Sequence, residues 1–435
     1  MYKTIKTVSF EEAVKVVKSG DRVHLHSVAC APQGLIQALC NRGRAGELTD
    51  VKIQHLHTEG DAPYAEKEFE GIFQLESLFV GKNVRKATQE GWARYIPVHL
   101  SETQKLIRSG YTPVDVVMLQ VCPPDKHGYV SMGTSVDATL AAVENARTVI
   151  ATINPQMPRS FGDAMIHVSD IDIFCEDDRP LIEAKPAEIT PEDILIGKNV
   201  ANLIEDGACL QMGIGAIPNA VLSQLGNHKD LGIHTEMFAD GVLPLIEKGI
   251  INNHNKKLDK GRTTATFLMG SKQLYDFIDD NPGVMMMDVG YTNNPALIAQ
   301  QPKMTAINSA LSIDLTGQVN ADSLGYKFFS GCGGQIDFVR GANDSIGGKS
   351  IIAMSAKTAN GISKITPALL EGAGVVTTRF DVHYVVTEYG AVNLYGKTMQ
   401  DRAKTLITIA APECQEMLDK AAFKRFGSHF HFVKE

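Results

Sequence analysis

Apolar strand-like runs alternate with helical patterns along most of this 435-residue chain, and this alternation limits the possible folds more than any other feature. The run Val114–Val121 is almost wholly apolar, as expected of a parallel-sheet strand that helices cover on both faces. Strand patterns at Ala208–Met212, Thr263–Met269 and Ser350–Ser355 are separated by helical segments. The alternation predicts an α/β fold with mostly parallel sheets.

The length of the chain exceeds that of one ordinary hydrophobic core, so two domains are expected. Glu183–Pro191 has the composition of a linker, and Thr190 is placed to cap a new helix whose first residue is Pro191. We therefore predict an N-terminal α/β domain over residues 1–188 and a C-terminal α/β domain over residues 189–435.

The two halves share an order of helix, strand, proline turn, helix and strand, and each copy ends in His-Thr-Glu. The first copy ends at Glu59 and the second at Glu236. The stretch from the proline to the glutamate is longer in the first copy, which implies an insertion there. A repeat of only three residues could be coincidence, but the shared order of elements favours an internal duplication with an active cleft between the copies.

Local patterns make further structural predictions. Tyr64–Phe79 has a helical pattern, and so does the chain from Ala391 to its end. The sequence Ser101-Glu-Thr-Gln resembles a capping box, which would put Ser101 at the start of a helix.

Composition excludes several classes of protein. The chain is 44% hydrophobic and 21% charged, as soluble globular proteins are, and its net charge of −8 argues against general nucleic-acid binding. Its seven cysteines are scattered without Cys-x-x-Cys spacing, which favours reduced thiols and a cytoplasmic location. No signal peptide is expected, and no apolar run approaches the roughly 18 residues of a membrane span.

The stretch Gly232–Asp240 predicts a short buried strand that ends in the acidic side chain of Glu236. Just upstream, Gln211–Ala220 predicts a strand, a tight glycine turn and the start of a helix. In open α/β sheets, ligands bind at the carboxyl ends of strands, beside such turns. A carboxylate and bare backbone N–H groups in one crevice are the minimum equipment for covalent acyl transfer, namely a nucleophile and donors for an oxyanion.

The glycine turn also has other interpretations. Gly213-Ile214-Gly215 could belong to a dinucleotide fingerprint, with Glu236 as the acid that binds ribose, although the third glycine is missing. On this motif alone, a plain strand–helix turn is favoured first, an acyl-transfer loop second and a dinucleotide loop third.

The pairs His24/His26 and His55/His57 have the spacing of two metal ligands on one face of a strand. No cysteine or carboxylate cluster completes such a site. Hydrogen-bonded histidines beside the cleft are therefore the favoured interpretation, and no metal is expected.

Other candidate residues follow predicted strands. Ser330–Phe338 is rich in glycine before a strand-like run, and could let the backbone approach a ligand or form a bulge or hairpin. Glu388 could contact a ligand or act as a capping carboxylate, and Lys357 could reach a phosphate or be a solvated lysine. Asn293 and Asn294 precede a proline at a helix start, where capping alone explains them.

Together these motifs resemble the acetyl-CoA hydrolase/transferase family of class I CoA-transferases, most closely 4-hydroxybutyrate and butyryl-CoA:acetate CoA-transferases. The resemblance covers nearly the whole chain and rests on the stretches Pro123–Gly133, Gln211–Ile217, His234–Gly241, Gly331–Phe338 and Glu388–Gly390. It implies two similar NagB/RpiA/CoA-transferase-like α/β domains with the active site between them, in a homodimer or a higher oligomer.

The resemblance also implies an enzyme that moves CoA between a short-chain acyl-CoA and a free carboxylate such as acetate. CoA would be a substrate, no cofactor would be bound permanently, and Glu236 would become a glutamyl-CoA thioester. The implied CoA or substrate contacts are Gln211, Gly213, Ile214, Gly215, Ala216, Ile217, Leu311, Gly333, Gly334, Lys357 and Glu388. An acyl-CoA hydrolase that uses the same glutamate is the second possibility, and a nucleotide-binding protein such as a dehydrogenase is the third.

Overall fold

The structure is a computed structural model that describes residues 5–185 and 187–427. Its α-helices are α1 (Phe10–Ala13), α2 (Gln33–Arg44), α3 (Arg85–Glu90), α4 (Leu100–Arg108), α5 (Thr139–Asn145), α6 (Pro191–Ala201), α7 (Ala216–Ser223), α8 (Leu243–Glu247), α9 (Lys272–Ile278), α10 (Val289–Thr292), α11 (Pro295–Ile298), α12 (Gln335–Asp344), α13 (Met399–Thr408) and α14 (Pro412–Phe426).

The strands of the first half are β1 (Arg22–Leu25), β2 (Val51–His55), β3 (Phe73–Ser77), β4 (Arg94–Tyr95), β5 (Val116–Val121), β6 (Tyr129–Ser131), β7 (Thr148–Ile153), β8 (Phe161–Gly162), β9 (Met165–His167) and β10 (Ile173–Glu176). Those of the second half are β11 (Cys209–Met212), β12 (Gly232–Ile233), β13 (Met237–Phe238), β14 (Thr263–Ala265), β15 (Phe267–Leu268), β16 (Val284–Met286), β17 (Thr305–Asn308), β18 (Ser312–Asp314), β19 (Val319–Asn320), β20 (Ser323–Leu324), β21 (Lys327–Phe328), β22 (Lys349–Ala353), β23 (Ile365–Thr366), β24 (Tyr384–Thr387) and β25 (Gly390–Asn393).

Each half contains one large sheet, and five strands of each sheet share the same order. The first sheet runs β10-β7-β5-β1-β2-β3-β4 and is wholly parallel. The second runs β12-β11-β17-β22-β24-β25, with only β25 antiparallel. Read from its other end, β24-β22-β17-β11-β12 repeats the chain order of β10-β7-β5-β1-β2. The α/β class with mostly parallel sheets is confirmed, and the matching order supports an internal duplication.

Apolar packing holds the two halves together beside the predicted active site. Buried side chains of both halves form an interface cluster, whose members are Val28, Leu56, Leu78, Leu100, Met237, Phe267, Met269 and Val289. Fully burying one such side chain is worth about 1.5–3 kcal/mol. Backbone hydrogen bonds from Val136 N to Thr266 O and from Leu268 N to Thr134 O, both 2.9 Å long, join the halves in addition.

The helix predicted over Tyr64–Phe79 is wrong. This segment forms two short 3₁₀ turns and then β3, which pairs in parallel with β2. Phe73, Leu75 and Ser77 are buried whereas Gln74 and Glu76 are half-buried, so the local periodicity is that of a strand.

Two further local predictions are also wrong. Helix α4 begins at Leu100 with His99 as its N-cap, and the Ser101 side chain bonds to another helix instead. After Gly334 the chain forms helix α12 rather than a strand, since the buried Ile336, Val339 and Ala342 recur at helical spacing. By contrast, Thr190 does cap α6, with Pro191 as its first residue.

Candidate active site

Glu236 lies between β12 and β13, where the edge strand of the second sheet ends. The preceding Thr235 donates a hydrogen bond from Oγ1 to the backbone oxygens of Met212, at 3.2 Å, and Met237, at 2.8 Å. Because Met212 ends β11, this hydroxyl ties the Glu236 segment to the start of the glycine turn. The carboxyl end of the sheet therefore brings the two predicted motifs together.

Two donors serve the Glu236 carboxylate. Asn293 donates from Nδ2 to Oε2 at 2.9 Å, and the backbone N–H of Gly334 is a further donor to this side chain. A Cβ atom at position 334 would overlap both Glu236 Oε2 and Asn293 Nδ2. Glycine is therefore required at position 334 for the backbone to approach the carboxylate.

The environment of Glu236 raises its pKa to about 7. Burial of this half-buried side chain is the main cause, and the charge of Asp337 acts in the same direction, whereas the donors at Asn293 and Gly334 oppose the shift. A carboxylate poised near neutral pH inside a cleft is typical of a functional group.

The Asn293 amide is oriented by the residues behind it. Its Oδ1 accepts a hydrogen bond from Thr292 Oγ1 at 3.0 Å, so its Nδ2 faces Glu236. His234 Nε2 lies 2.8 Å from the Thr292 carbonyl oxygen, which can only accept, so this nitrogen carries the proton. Gln301 donates to His234 Nδ1 at 3.3 Å, and burial lowers the pKa of His234 to about 4, which keeps the ring neutral.

The predicted glycine turn borders a pocket. Gly215 has φ +118° and ψ −173°, a conformation that is essentially restricted to glycine. Ile214 is exposed, and Gln211 and Asn308 are linked by a hydrogen bond from Asn308 Nδ2 to Gln211 Oε1 at 3.2 Å. The pocket, of about 520 Å³, lies between the turn, the segment after Glu236 and the chain that joins the two halves; its lining includes Ile214, Gly215, Asn219, Ala239, Met269 and Lys185. Ala216 and Ile217 form the first turn of α7.

The other predicted contacts lie farther along the same sheet edge. Leu311, Lys357 and Glu388 follow β17, β22 and β24. β22, which precedes Lys357, is three strands from β12, which precedes Glu236, and this separation is about 14 Å at ~4.8 Å per strand. Lys357 forms an ion pair with Glu413.

Glu388 accepts a hydrogen bond from the backbone N–H of Ala356 at 2.8 Å, as a capping carboxylate does. The structure thus places Gly333 and Gly334 at Glu236 and the glycine turn on the neighbouring strand. Leu311, Lys357 and Glu388 lie at increasing distance from Glu236 along that edge.

Three of the four paired histidines have hydrogen-bond partners, and the fourth packs against aromatic rings. His26 Nε2 lies 2.8 Å from Ser135 O, His55 Nε2 lies 3.0 Å from Tyr64 Oη, and His24 Nδ1 lies 3.4 Å from Gln54 Oε1. His57 packs against the rings of Phe79 and Phe267. Within residues 5–185 and 187–427, no group of three or more histidine, cysteine or acidic side chains is arranged to hold a metal ion.

Glu59 occupies the position in the first half that matches Glu236 in the second. Thr58 pairs with Val28 beyond the ends of β1 and β2, and Glu59 N donates to Val28 O at 3.1 Å. The copies face each other, because the His57 ring lies 5.7 Å from the ring of Phe267, whose backbone N–H donates to Glu236 O. Burial raises the pKa of Glu59, and nearby Lys82 opposes this shift.

Sequence reasoning missed Asn293 and Asp337 as neighbours of Glu236. Only Asn294 caps α11, by accepting a hydrogen bond from Ala296 N at 3.0 Å. One capping residue suffices for a helix, so the other of the two consecutive asparagines is free for another role. This pairing was the one signal in the sequence for the role of Asn293. Asp337 gave no such signal, because its contacts come from elements that are distant in sequence.

Comparison with known proteins identifies the chain as an α/β enzyme of the CoA-transferase class. The model of the acetyl-CoA hydrolase/transferase N-terminal domain matches residues 2–183, and that of the C-terminal domain matches residues 270–422. The chain belongs to the acetyl-CoA hydrolase/transferase family, as its motifs predicted.

Relatives with similar sequences carry CoA-transferase names. The succinyl-CoA:acetate/propanoyl-CoA:succinate CoA transferase of Fasciola hepatica is 48% identical over 95% of this chain and 87% of its own. The 4-hydroxybutyrate coenzyme A transferase of Clostridium kluyveri is 46% identical over 97% and 98%. The crystal structure of RipA from Yersinia pestis matches with a TM-score of 0.93 at 37% identity, covering 97% of both chains. An acetyl-CoA hydrolase of Neurospora crassa is more distant, at 25% identity over 80% of this chain and 74% of its own.

No helix in the described parts of the chain, 5–185 and 187–427, combines the length and apolar character needed to cross a membrane.

Proposed function

We propose that this enzyme moves CoA between a short-chain acyl-CoA and a free carboxylate such as acetate, through a glutamyl-CoA thioester on Glu236. The acyl groups that fit the resemblance are 4-hydroxybutyryl, butyryl and acetyl. One observation carries the proposal: the half-buried Glu236 carboxylate accepts from Asn293 at one oxygen and has the Gly334 N–H as a further donor, in a crevice at the carboxyl end of the sheet.

The two carboxylate oxygens have different roles in this mechanism. Oε1 lies toward Gly333 and attacks the thioester carbonyl, which breaks the C–S bond and gives CoA thiolate and an acyl-glutamyl anhydride. The thiolate then attacks the glutamyl carbonyl, whose oxygen is Oε2, and displaces the free acid. A second carboxylate reverses both steps. Each step exchanges one activated acyl bond for another, so ATP is not consumed.

The donor on Oε2 lies where negative charge would develop. When the thiolate attacks the glutamyl carbonyl, Oε2 becomes an oxyanion, and Asn293 Nδ2 already donates to it, while the Gly334 N–H donates to the same carboxylate. One oxyanion donor is typically worth about 3 kcal/mol of barrier. Backbone N–H groups at Ile214 and Gly215 are proposed to act in the same way on the acyl carbonyl.

The remaining features of the proposal rest on the resemblance and on composition. We propose domains at residues 1–188 and 189–435 and a homodimer or higher oligomer. The cysteines of the described chain are free thiols, which supports a cytoplasmic location. CoA contacts are proposed at the glycine turn, at Gly333 and Gly334, and at Leu311, Lys357 and Glu388.

A mass measurement tests the covalent step. Intact protein mixed with butyryl-CoA or acetyl-CoA alone is expected to gain the mass of CoA, on the peptide that contains Glu236. Borohydride should reduce this thioester and inactivate the enzyme. An adduct on Glu59, or no adduct while transfer is active, would contradict the mechanism.

Steady-state kinetics distinguishes the transferase from a hydrolase. Double-reciprocal plots for acyl-CoA and acetate are expected to be parallel, because CoA resides on the enzyme between two half-reactions. Fast CoA release without an acceptor acid would favour the hydrolase instead, and a nicotinamide absorbance change would favour a dehydrogenase.

A further inference from the structure

Asp337 is a buried carboxylate that bonds across the contact between the two halves. It lies in the first turn of α12 and is 4% exposed. Its Oδ2 accepts from Ser101 N at 3.1 Å and its Oδ1 accepts from Ser101 Oγ at 2.9 Å. Ser101 belongs to α4 of the first half, and the neighbouring Leu100 N donates to Gly333 O at 3.0 Å.

Asp337 lies one turn after Gly334, where the start of α12 meets both Glu236 and Asn293: a Cβ at Gly334 would overlap Glu236 Oε2 and Asn293 Nδ2. Asn293 Nδ2 donates to Glu236 Oε2 at 2.9 Å, and a side-chain hydrogen bond with Asn293 lowers the pKa of Asp337. Asn293 Oδ1 accepts from Thr292 Oγ1. The Asn293 amide therefore has one favourable orientation, because its NH₂ group serves carboxylate acceptors and its oxygen faces a hydroxyl donor.

We propose that Asp337 is a positioning residue, which holds the Asn293 amide toward Glu236 and places a second negative charge beside the nucleophile. This inference rests on the proposed role of Glu236. It assigns Ser101 the task of keeping Asp337 in place from the other half of the molecule.

The electrostatics of the site agree with this assignment. Burial and the Asp337 charge raise the pKa of Glu236, and burial raises the pKa of Asp337 to about 6 against the opposing effects of Ser101, His99 and Asn293. The thiol pKa of Cys332 is raised by burial first and then by the charges of Asp337, Asp322 and Glu236. A carboxylate with a raised pKa binds a proton more strongly and is the stronger nucleophile once ionised. Losing the charge of Asp337 should therefore make Glu236 ionise at lower pH and react more slowly.

The variant Asp337→Asn tests the proposal without changing the shape of the side chain. The new Oδ1 can still accept from Ser101 Oγ, but the new NH₂ group takes the place of Oδ2 and can accept neither from the Ser101 backbone N–H nor from the Asn293 amide. Ser101→Ala is the matched control, because it removes one donor to Asp337 and keeps the charge. Asp337→Ser serves if Asp337→Asn does not fold, since it also removes the charge.

The pKa of Glu236 can be measured without acyl-CoA, by ¹³C NMR titration of glutamate-labelled protein with Glu236→Gln to identify the resonance. Asp337→Asn is expected to lower this pKa by about one unit and to slow exchange at pH 8 at least tenfold, whereas Ser101→Ala leaves the pKa in place. An unchanged pKa, with a loss of rate no larger than that of Ser101→Ala, would overturn the proposal. The titration does not depend on catalysis, so it is read separately from the failure or success of the adduct experiment.

Discussion

Asn293 Nδ2 lies 2.9 Å from Glu236 Oε2, and this contact joins the residue after α10 to the residue that precedes β13. The two side chains are 57 positions apart in sequence. Their contact distinguishes the two carboxylate oxygens, and it leads to the first prediction.

Asn293→Ala should lower kcat by about 10²–10³-fold, the typical effect of losing one oxyanion donor. Asn294→Ala is the matched control, because this neighbour only caps α11 and its loss should cost about 1 kcal/mol of stability with near-normal turnover. Steady-state rates and thermal melts of both variants provide the measurement. Equal losses of activity in the two variants would show that the Asn293 contact has no special role.

Glu236→Ala and Glu59→Ala should have different effects on catalysis. The first variant removes the proposed nucleophile and should abolish exchange. The second should retain turnover, with its main effect on the apparent KM for the carboxylic acid, because Glu59 lacks an upstream glycine turn. If Glu59→Ala were inactive and Glu236→Ala active, with both proteins folded, the assignment of the nucleophile would be wrong.

Gly334→Ala should inactivate the enzyme, since a methyl group there would occupy the space of the Glu236 carboxylate. Gly226→Ala is the control, because a Cβ at position 226 meets no atom within 4 Å and its φ is not positive. Adduct formation with acyl-CoA should be lost in the first variant and retained in the second. Normal adduct formation by Gly334→Ala would contradict the described approach of backbone to carboxylate.

Glu236→Gln should stabilise the fold in a pH-dependent way. The pKa of Glu236 is raised from 4.5 to about 7, so below pH 4 both states are protonated and the variant should match the parent. Between pH 4.5 and pH 7, Glu236 ionises in the unfolded chain but stays protonated in the folded chain, so the parent loses stability relative to the variant. Above pH 7 the advantage of the variant should level off at up to about 2–3 kcal/mol. Urea unfolding at pH 5, 6, 7 and 8 measures this, and a pH-independent difference would contradict the raised pKa.

Local patterns were sufficient for much of the fold. The almost wholly apolar stretch Val114–Val121 contains the buried β5, and the Thr190–Pro191 start of α6 was recognisable from capping chemistry alone. The repeated His-Thr-Glu motif predicted an internal duplication, and the shared strand order of the two sheets supports it. These features depend on residues that are close in sequence or on a pattern that recurs.

Contacts between distant elements could not be predicted. Ser101 has the residue type of a helix cap, but Asp337 from the other half binds its hydroxyl and backbone N–H. The segment Tyr64–Phe79 contains enough apolar residues for a helix, and pairing with β2 decides in favour of a strand. The same limit hid Asn293, whose partner is brought near only by the folding of the second sheet.

The common strand order of the two sheets has an evolutionary consequence. If each half descends from one ancestral unit, the cleft derives from a two-fold contact between identical subunits that carried one acid each. Fusion of the two genes would free the copies to diverge, so that one acid could specialise in bond formation and the other in acid selection. Val28 lies in the turn of the first copy that corresponds to the glycine turn, and its φ is +56°. Such a backbone favours glycine over a β-branched residue, so the first copy has diverged at this position.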